Sequence, residues 1–259
     1  MRIYKASELL DRVRSRRTQR LVGLPCGIDD LDCVSRGLPV GLVVLAGRPQ
    51  SGHGVLARQI ALNVVQSTRS TVAWFSTQLS AEAFVEGLLQ HSLAEQVLVD
   101  NNQLTIIDSP RLTVSMTKSS VKTLFENTGC TQGLVVIDAL EMAFPLSVGK
   151  PRVQRALAKK LRSIALANNI SLIVCCGLSR KLEERKDKVP RISDLKNRWN
   201  FDMEADLVIA THYPYTYEPD TYSTDEWSLR VLKNRHGPVG GVGMSRTELP
   251  WPKFMRFTK

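Results

Sequence analysis

The sequence predicts an α/β fold with a mostly parallel central sheet flanked by helices, and three observations support this. Short apolar runs alternate with amphipathic helical patterns along most of the chain. A glycine-bracketed loop, Gly47-Arg48-Pro49-Gln50-Ser51-Gly52-His53-Gly54, follows the apolar run Leu42-Val43-Val44-Leu45-Ala46 and precedes a helical pattern. Near the C-terminus Trp227, Leu229 and Val231 alternate with Ser228 and Arg230, the mark of a half-buried antiparallel strand.

Taken in order, residues 5–19 place Ala6, Leu9, Leu10 and Val13 at helical spacing, with Asp11, Arg12, Arg14, Arg16 and Arg17 on other faces. An N-terminal arm over 1–21 ahead of one domain at 22–259 is therefore expected. Residues 20–41 are punctuated by Gly and Pro and read as a lead-in turn. Strand 42–46, helix 55–66, strand 71–76, helix 80–94, strand 104–108, helix 114–127, strand 133–138, helix 152–168 and strand 170–176 then alternate. A polar stretch at 179–205 precedes strands expected at 206–212, 227–234 and 239–245.

Composition narrows the class. At 259 residues, 43% hydrophobic and 23% charged, the chain can bury one sizeable core. Its apolar runs are too short to span a bilayer, so no membrane partner is expected. The N-terminus lacks the apolar core of a secretory signal, while its arginines leave an organelle transit peptide open. Cys26, Cys33, Cys130, Cys175 and Cys176 show no C-x-x-C spacing and read as reduced, buried thiols of a cytoplasmic protein. A net charge of +10 points to an anionic partner, nucleic acid first, with a merely solvated basic surface as the alternative.

The loop at 47–54 reads as a phosphate loop with its chemistry removed. The working pattern G-x-x-x-x-G-K-[ST] uses glycines so that backbone N–H groups can wrap phosphate, a Lys for the outer phosphates and a hydroxyl for Mg²⁺. Gly47 and Gly52 are present, but His53 stands where the Lys belongs and Gly54 where the hydroxyl belongs.

These motifs resemble the C-terminal motor domain of DnaB-type replicative helicases, which has the RecA-like P-loop fold. Gly27-Ile28-Asp29-Asp30-Leu31-Asp32 resembles the family's T-G-[FY]-x-x-L-[DN], and Gly47-Arg48-Pro49 its A-R-P. The stretch from Leu178-Ser179-Arg180 to Ser193-Asp194-Leu195, followed by Glu204-Ala205-Asp206, is similar to L-[SN]-R-x-x-E-x-R-x-D-K-R-P-x-x-S-D-L and Q-D-A-D. Lys233-Asn234-Arg235-His236-Gly237-Pro238 resembles K-x-R-N-G-P. Asp138, after Leu134-Val135-Val136-Ile137, matches the Walker B aspartate. Where the family has the water-activating acid of F-S-L-E, the chain has Phe75-Ser76-Thr77-Gln78, and Gly177 replaces the γ-phosphate-sensing Gln of S-Q-L.

Read with that resemblance, the degenerate positions His53, Gly54, Gln78 and Gly177 imply a chain without catalytic residues, not an enzyme. Nucleotide contact would fall on Gly47, Arg48, Gly52, His53 and Asp138; no cofactor is required, and ATP or ADP binding is expected to be weak. No metal site is expected. The resemblance makes Lys233 and Arg235 a trans-acting finger on a RecA-like neighbour, either a second copy or a replicative helicase. Single-stranded DNA would meet Lys196, Arg198 and a base-stacking Trp199, with a second basic set around Lys150, Arg152 and Arg155. On helix 152–168, Val153, Leu157, Leu161 and Ile164 are expected to face inward, with Lys159, Lys160 and Arg162 outside. The expected role is a helicase-associated regulator, loader or structural subunit in DNA replication of a bacterial, phage or plasmid system. The alternatives are a stand-alone single-strand-binding protein and an active ATP-dependent helicase with an unorthodox loop.

Overall fold

The computed structural model describes residues 21–68, 70–89, 98, 103–126, 132–196, 199–246 and 254–256. Its first helix, α1 (Asp29–Ser35), lies inside the stretch read as a lead-in turn. No Ser, Thr, Asp or Asn caps it, since Ile28 holds the N-cap position, so the usual start signal is missing. Asp32 stabilises its entry instead: the buried carboxylate accepts the Cys26 N–H at 3.0 Å and the Gly27 N–H at 3.1 Å.

Strands and helices then alternate as the apolar pattern requires: β1 (Gly41–Gly47), α2 (His53–Ser67), β2 (Val72–Ser76), α3 (Ala81–Leu89), β3 (Leu104–Asp108), α4 (Val114–Phe125) and β4 (Gly133–Asp138). They continue with α5 (Leu140–Ala143), α6 (Pro151–Ala167), β5 (Ile170–Gly177), α7 (Ile192–Lys196), β6 (Leu207–His212), β7 (Glu226–Asn234), β8 (Gly240–Arg246) and β9 (Phe254–Arg256). Helix α3 is described as far as Leu89, and the remainder of the expected helix 80–94 lies outside the described residues. The same holds for the expected helix at 5–19.

Among the described residues the strands form one nine-stranded sheet in the order β3-β2-β4-β5-β1-β6-β7-β8-β9. The pairings from β3 to β6 are parallel and those from β6 to β9 antiparallel. Central β1 is buried throughout because helices cover both faces. Val43 and Leu45 pack with Leu56 and Ile60 of α2, while Leu42, Val44 and Ala46 pack with Leu157 and Leu161 of α6. The β6–β7 register shifts between Val208 and Ile209, so that Ile209 pairs with Val231 but Val208 with Lys233. Helix α6 opens on Pro151, which suits a first helical turn. Val153 is 45% exposed rather than inward, because Gln154 takes the buried position and its Oε1 accepts Asn200 Nδ2–H at 3.0 Å. The thiols of Cys26, Cys175 and Cys176 are buried as expected, Cys33 is exposed against that expectation, and Cys130 lies outside the described residues.

Candidate functional site

The sheet brings the ends of β1, β4 and β5 together, and there the Gly47–Gly54 loop turns into α2. Ser51 N–H donates to Arg48 O at 3.0 Å to close the turn, and Gly52 enters the left-handed region at φ 81°, a conformation suited to glycine. The first helical hydrogen bond is Leu56 N–H to Gly52 O at 2.9 Å. The N–H groups of His53, Gly54 and Val55 therefore have no acceptor within the helix, the arrangement that favours an anion. Gly47 is needed for space, since a Cβ there would collide with Ser51 Oγ, Thr211 Oγ1 and His53 Nδ1. Ser51 Oγ and Thr211 Oγ1 are hydrogen-bonded at 2.7 Å.

His53 turns its ring into this crowded corner. Its Nδ1 is shut off from solvent and has no hydrogen-bond partner. Burial pushes its pKa down, and the Glu141 carboxylate pulls against that shift. Arg48 points elsewhere: its Nε donates to Glu183 Oε1 at 2.7 Å and its NH1 to Leu178 O at 3.0 Å, fastening the loop to the segment after β5.

Asp138, at the end of β4, faces the loop. A Cβ on Gly54 would stand 3.7 Å from Asp138 Oδ2, so the aspartate addresses the place where the common pattern has its hydroxyl. Burial raises the Asp138 pKa; Arg58 opposes that rise and Glu141 adds to it. Thr77 fixes the strand end: its N–H donates to Asp138 O at 3.0 Å, and its hydroxyl accepts Ala139 N–H at 2.9 Å. Gln78, next in the chain, is exposed beside this clamp. Glu141 was not singled out in the sequence, although a carboxylate three residues after Asp138 was available as a signal. Its Oε1 accepts Gly177 N–H at 2.8 Å and Trp199 Nε1–H at 3.1 Å.

That contact corrects the reading of Trp199. The indole is fully buried, edge-on to Phe201 with ring centroids 5.7 Å apart, and presents no face to a base. It is held there by apolar packing and by its N–H to Glu141. Arg198 lies outside the described residues, and Lys196 is placed only as the last residue of α7. Lys150, Arg152 and Arg155 are exposed around the start of α6. Arg162, expected on the outer face of that helix, instead grips Asp206 through Nε and NH2, each at 2.9 Å.

Lys233 and Arg235 lie at the other end of the sheet from the loop. Arg235 follows the end of β7, whose Asn234 pairs with Leu207, and Leu207 pairs with Val43 near the start of β1. Lys233, opposite Val208 and so level with Val44, is set back from Gly47 by roughly 10 Å along the strand direction and by two strands sideways, and Arg235 lies farther back. Arg235 Nε pairs with Asp206 Oδ1 at 2.9 Å, and its NH2 donates to Met203 O at 3.2 Å. Lys233 Nζ donates to Asp202 O at 2.6 Å, and burial together with the neighbouring Arg235 lowers its pKa.

No cluster of three or more His, Cys, Asp or Glu suited to a metal ion occurs among the described residues. Mg²⁺ does not require one: it keeps several waters and is held through one or two carboxylates plus the phosphates it accompanies. Asp138 opposite the amide-lined turn fits that requirement.

The chain matches the family described as DnaB-like helicase C terminal domain over residues 23–102 and 90–258. It is 27% identical over 250 residues to the replicative DNA helicase DnaC of Bacillus subtilis, covering 87% of this chain and 55% of that protein. It is 30% identical over 251 residues to a probable replicative DNA helicase of Trieres chinensis, covering 86% of this chain and 55% of that protein. The chain thus spans about half the length of the curated relatives it matches. In fold it superposes on a solved structure described as an ATPase domain with a TM-score of 0.89 at 20% identity, covering 99% of this chain and all of that one. A DnaB-like replicative helicase, described with its interactions with primase, superposes with a TM-score of 0.86 at 20% identity, covering 99% of this chain and 68% of that one. The mostly parallel RecA-like architecture expected from sequence is the one found. The expectation that the chain is not an enzyme is corrected by the relatives, which are named as helicases and hence as enzymes. The physical reason lies in the reaction: phosphoryl transfer asks the protein mainly for positioning and charge, and an amide that orients the attacking water can serve where no acid stands. His53, Gly54, Gln78 and Gly177 are therefore departures from a pattern and not proof of lost chemistry.

Proposed function

Because the chain belongs to the DnaB-like helicase C-terminal domain family, we propose that it acts in DNA replication as the ATP-hydrolysing domain of a DnaB-type helicase assembly. The observation that carries this reading is Asp138 facing the turn into α2, with Oδ2 3.7 Å from a Cβ on Gly54. The N–H groups of His53, Gly54 and Val55 hold the phosphates at the helix N-terminus. Asp138 would hold the Mg²⁺ that accompanies the nucleotide, and that ion would supply neutralising charge there. Thr77 keeps the Asp138 strand end in place, and exposed Gln78 orients water without taking its proton.

Lys233 and Arg235 sit too far from their own loop to serve it, which supports action on the loop of a RecA-like neighbour. Displacing Arg235 from Asp206 leaves that carboxylate with Arg162, so the finger can be released without stranding a buried charge. Exposed Lys150, Arg152 and Arg155 suit phosphates of single-stranded DNA. The test is hydrolysis of MgATP by the purified chain with and without single-stranded DNA. DNA-stimulated turnover that falls in Arg235→Ala, while the fold survives, is expected; no turnover under any assembly condition refutes the reading.

A further inference from the structure

One buried group in this site has no structural use. His53 begins α2 where a lysine would carry permanent charge, its Nδ1 closed to solvent, unpartnered, and set against the bare Cα of Gly47. A buried imidazole normally satisfies both nitrogens. Here the ring stands at the amide-lined turn, and Glu141, pinned by Gly177 N–H and Trp199 Nε1–H, supplies the negative field that reaches it.

We propose that nucleotide binding at this loop is proton-linked: bound phosphate captures His53 as an imidazolium, so the cation is present only with the ligand. This rests on the reading of the loop as a nucleotide site and adds its regulation. The proton comes from solvent and returns there when the phosphate leaves. Without ligand, burial outweighs Glu141 and holds His53 neutral at neutral pH. A phosphate beside the ring adds negative charge to that of Glu141 and raises the pKa. The other groups around the corner do not replace this cation. Asp138 of β4 and Arg58 on the next turn of α2 oppose each other's charge. Cys175 of β5 stays a neutral thiol because burial pushes its pKa up. Ser51 and Thr211 satisfy each other.

The sign follows from linkage. Between the free and bound pKa values of His53, each nucleotide bound takes up as much as one proton, and affinity falls up to about tenfold per pH unit as pH rises. The experiment is calorimetric titration of the purified chain with MgADP from about pH 6 to 8.5, spanning the imidazole range. At each pH two buffers of different ionisation enthalpy are used. His53→Lys and His53→Gln, measured in the same way, correct for protons exchanged by the nucleotide. The expected result is proton uptake by the unaltered chain that both variants lack, with His53→Lys binding independently of pH. Binding without excess uptake overturns the inference and leaves the nucleotide site standing. No binding by the unaltered chain or by His53→Lys overturns both.

Discussion

Replacing Asp206 with Ala should cost about 3 kcal/mol of stability, because one buried carboxylate joins three separate elements. It is 1% exposed, accepts Leu42 N–H of β1 at 3.0 Å, holds the Arg162 guanidinium of α6, and pairs with Arg235 after β7. Breaking a buried ion pair by removing one partner costs about 3–5 kcal/mol when the other charge is left stranded. The low end applies, since Arg162 is 27% and Arg235 42% exposed and water can reach both. For a domain of this size the melting temperature should fall by roughly 6–12 °C, read by thermal melting alongside urea titration. Arg235→Ala should cost only about 1 kcal/mol, because Arg162 still satisfies the carboxylate. A loss below about 1 kcal/mol for Asp206→Ala would refute the claim that this carboxylate ties the sheet to α6.

Trp199→Ala should destabilise the chain by about 3–5 kcal/mol in urea, whereas a residue waiting to stack on a base would be nearly neutral. Asp138→Asn should stabilise the chain at neutral pH by about 1 kcal/mol while lowering MgATP turnover at least about a hundredfold. The sign follows from the raised folded-state pKa of Asp138: its contribution is fully favourable below the unfolded carboxylate value and is lost as pH rises through the folded one. The stability gap between the two proteins should therefore close in acid, as a denaturation series across pH would show.

The alternation of strands and helices was legible because each buried strand is a nearly unbroken apolar run and each covering helix carries one stripe. Helix α1 was not, since it is short and no side chain caps it; Asp32 instead holds the turn that leads into it. The loop was legible from its spacing and Asp138 and Gln78 through the family resemblance, and the structure brings all three to the C-terminal ends of inner strands. What spacing could not show was direction. Trp199 and Arg162 sit among basic residues in sequence, yet one turns inward to Glu141 and the other to Asp206. Both contacts join residues more than forty positions apart, where local periodicity carries no information.

The register shift between β6 and β7 decides where Lys233 and Arg235 end up. Trp227, Leu229 and Val231 share the face that packs with α2, so unbroken alternation would send Lys233 there as well. The shift spends Leu232 as an unpaired extra residue and sets Lys233 opposite Val208, on the α6 face. Arg235 follows on that side, where Asp206, Arg162 and the carbonyls of Asp202 and Met203 await both cations. Asn234 takes the other side and reaches the carbonyls at the end of α1. One inserted residue therefore works as a half-turn in the strand. Excising Leu232 would leave Lys233 directly after Val231, still opposite Val208 and on the same face, whereas pairing Leu232 in regular register would turn Lys233 to the α2 face.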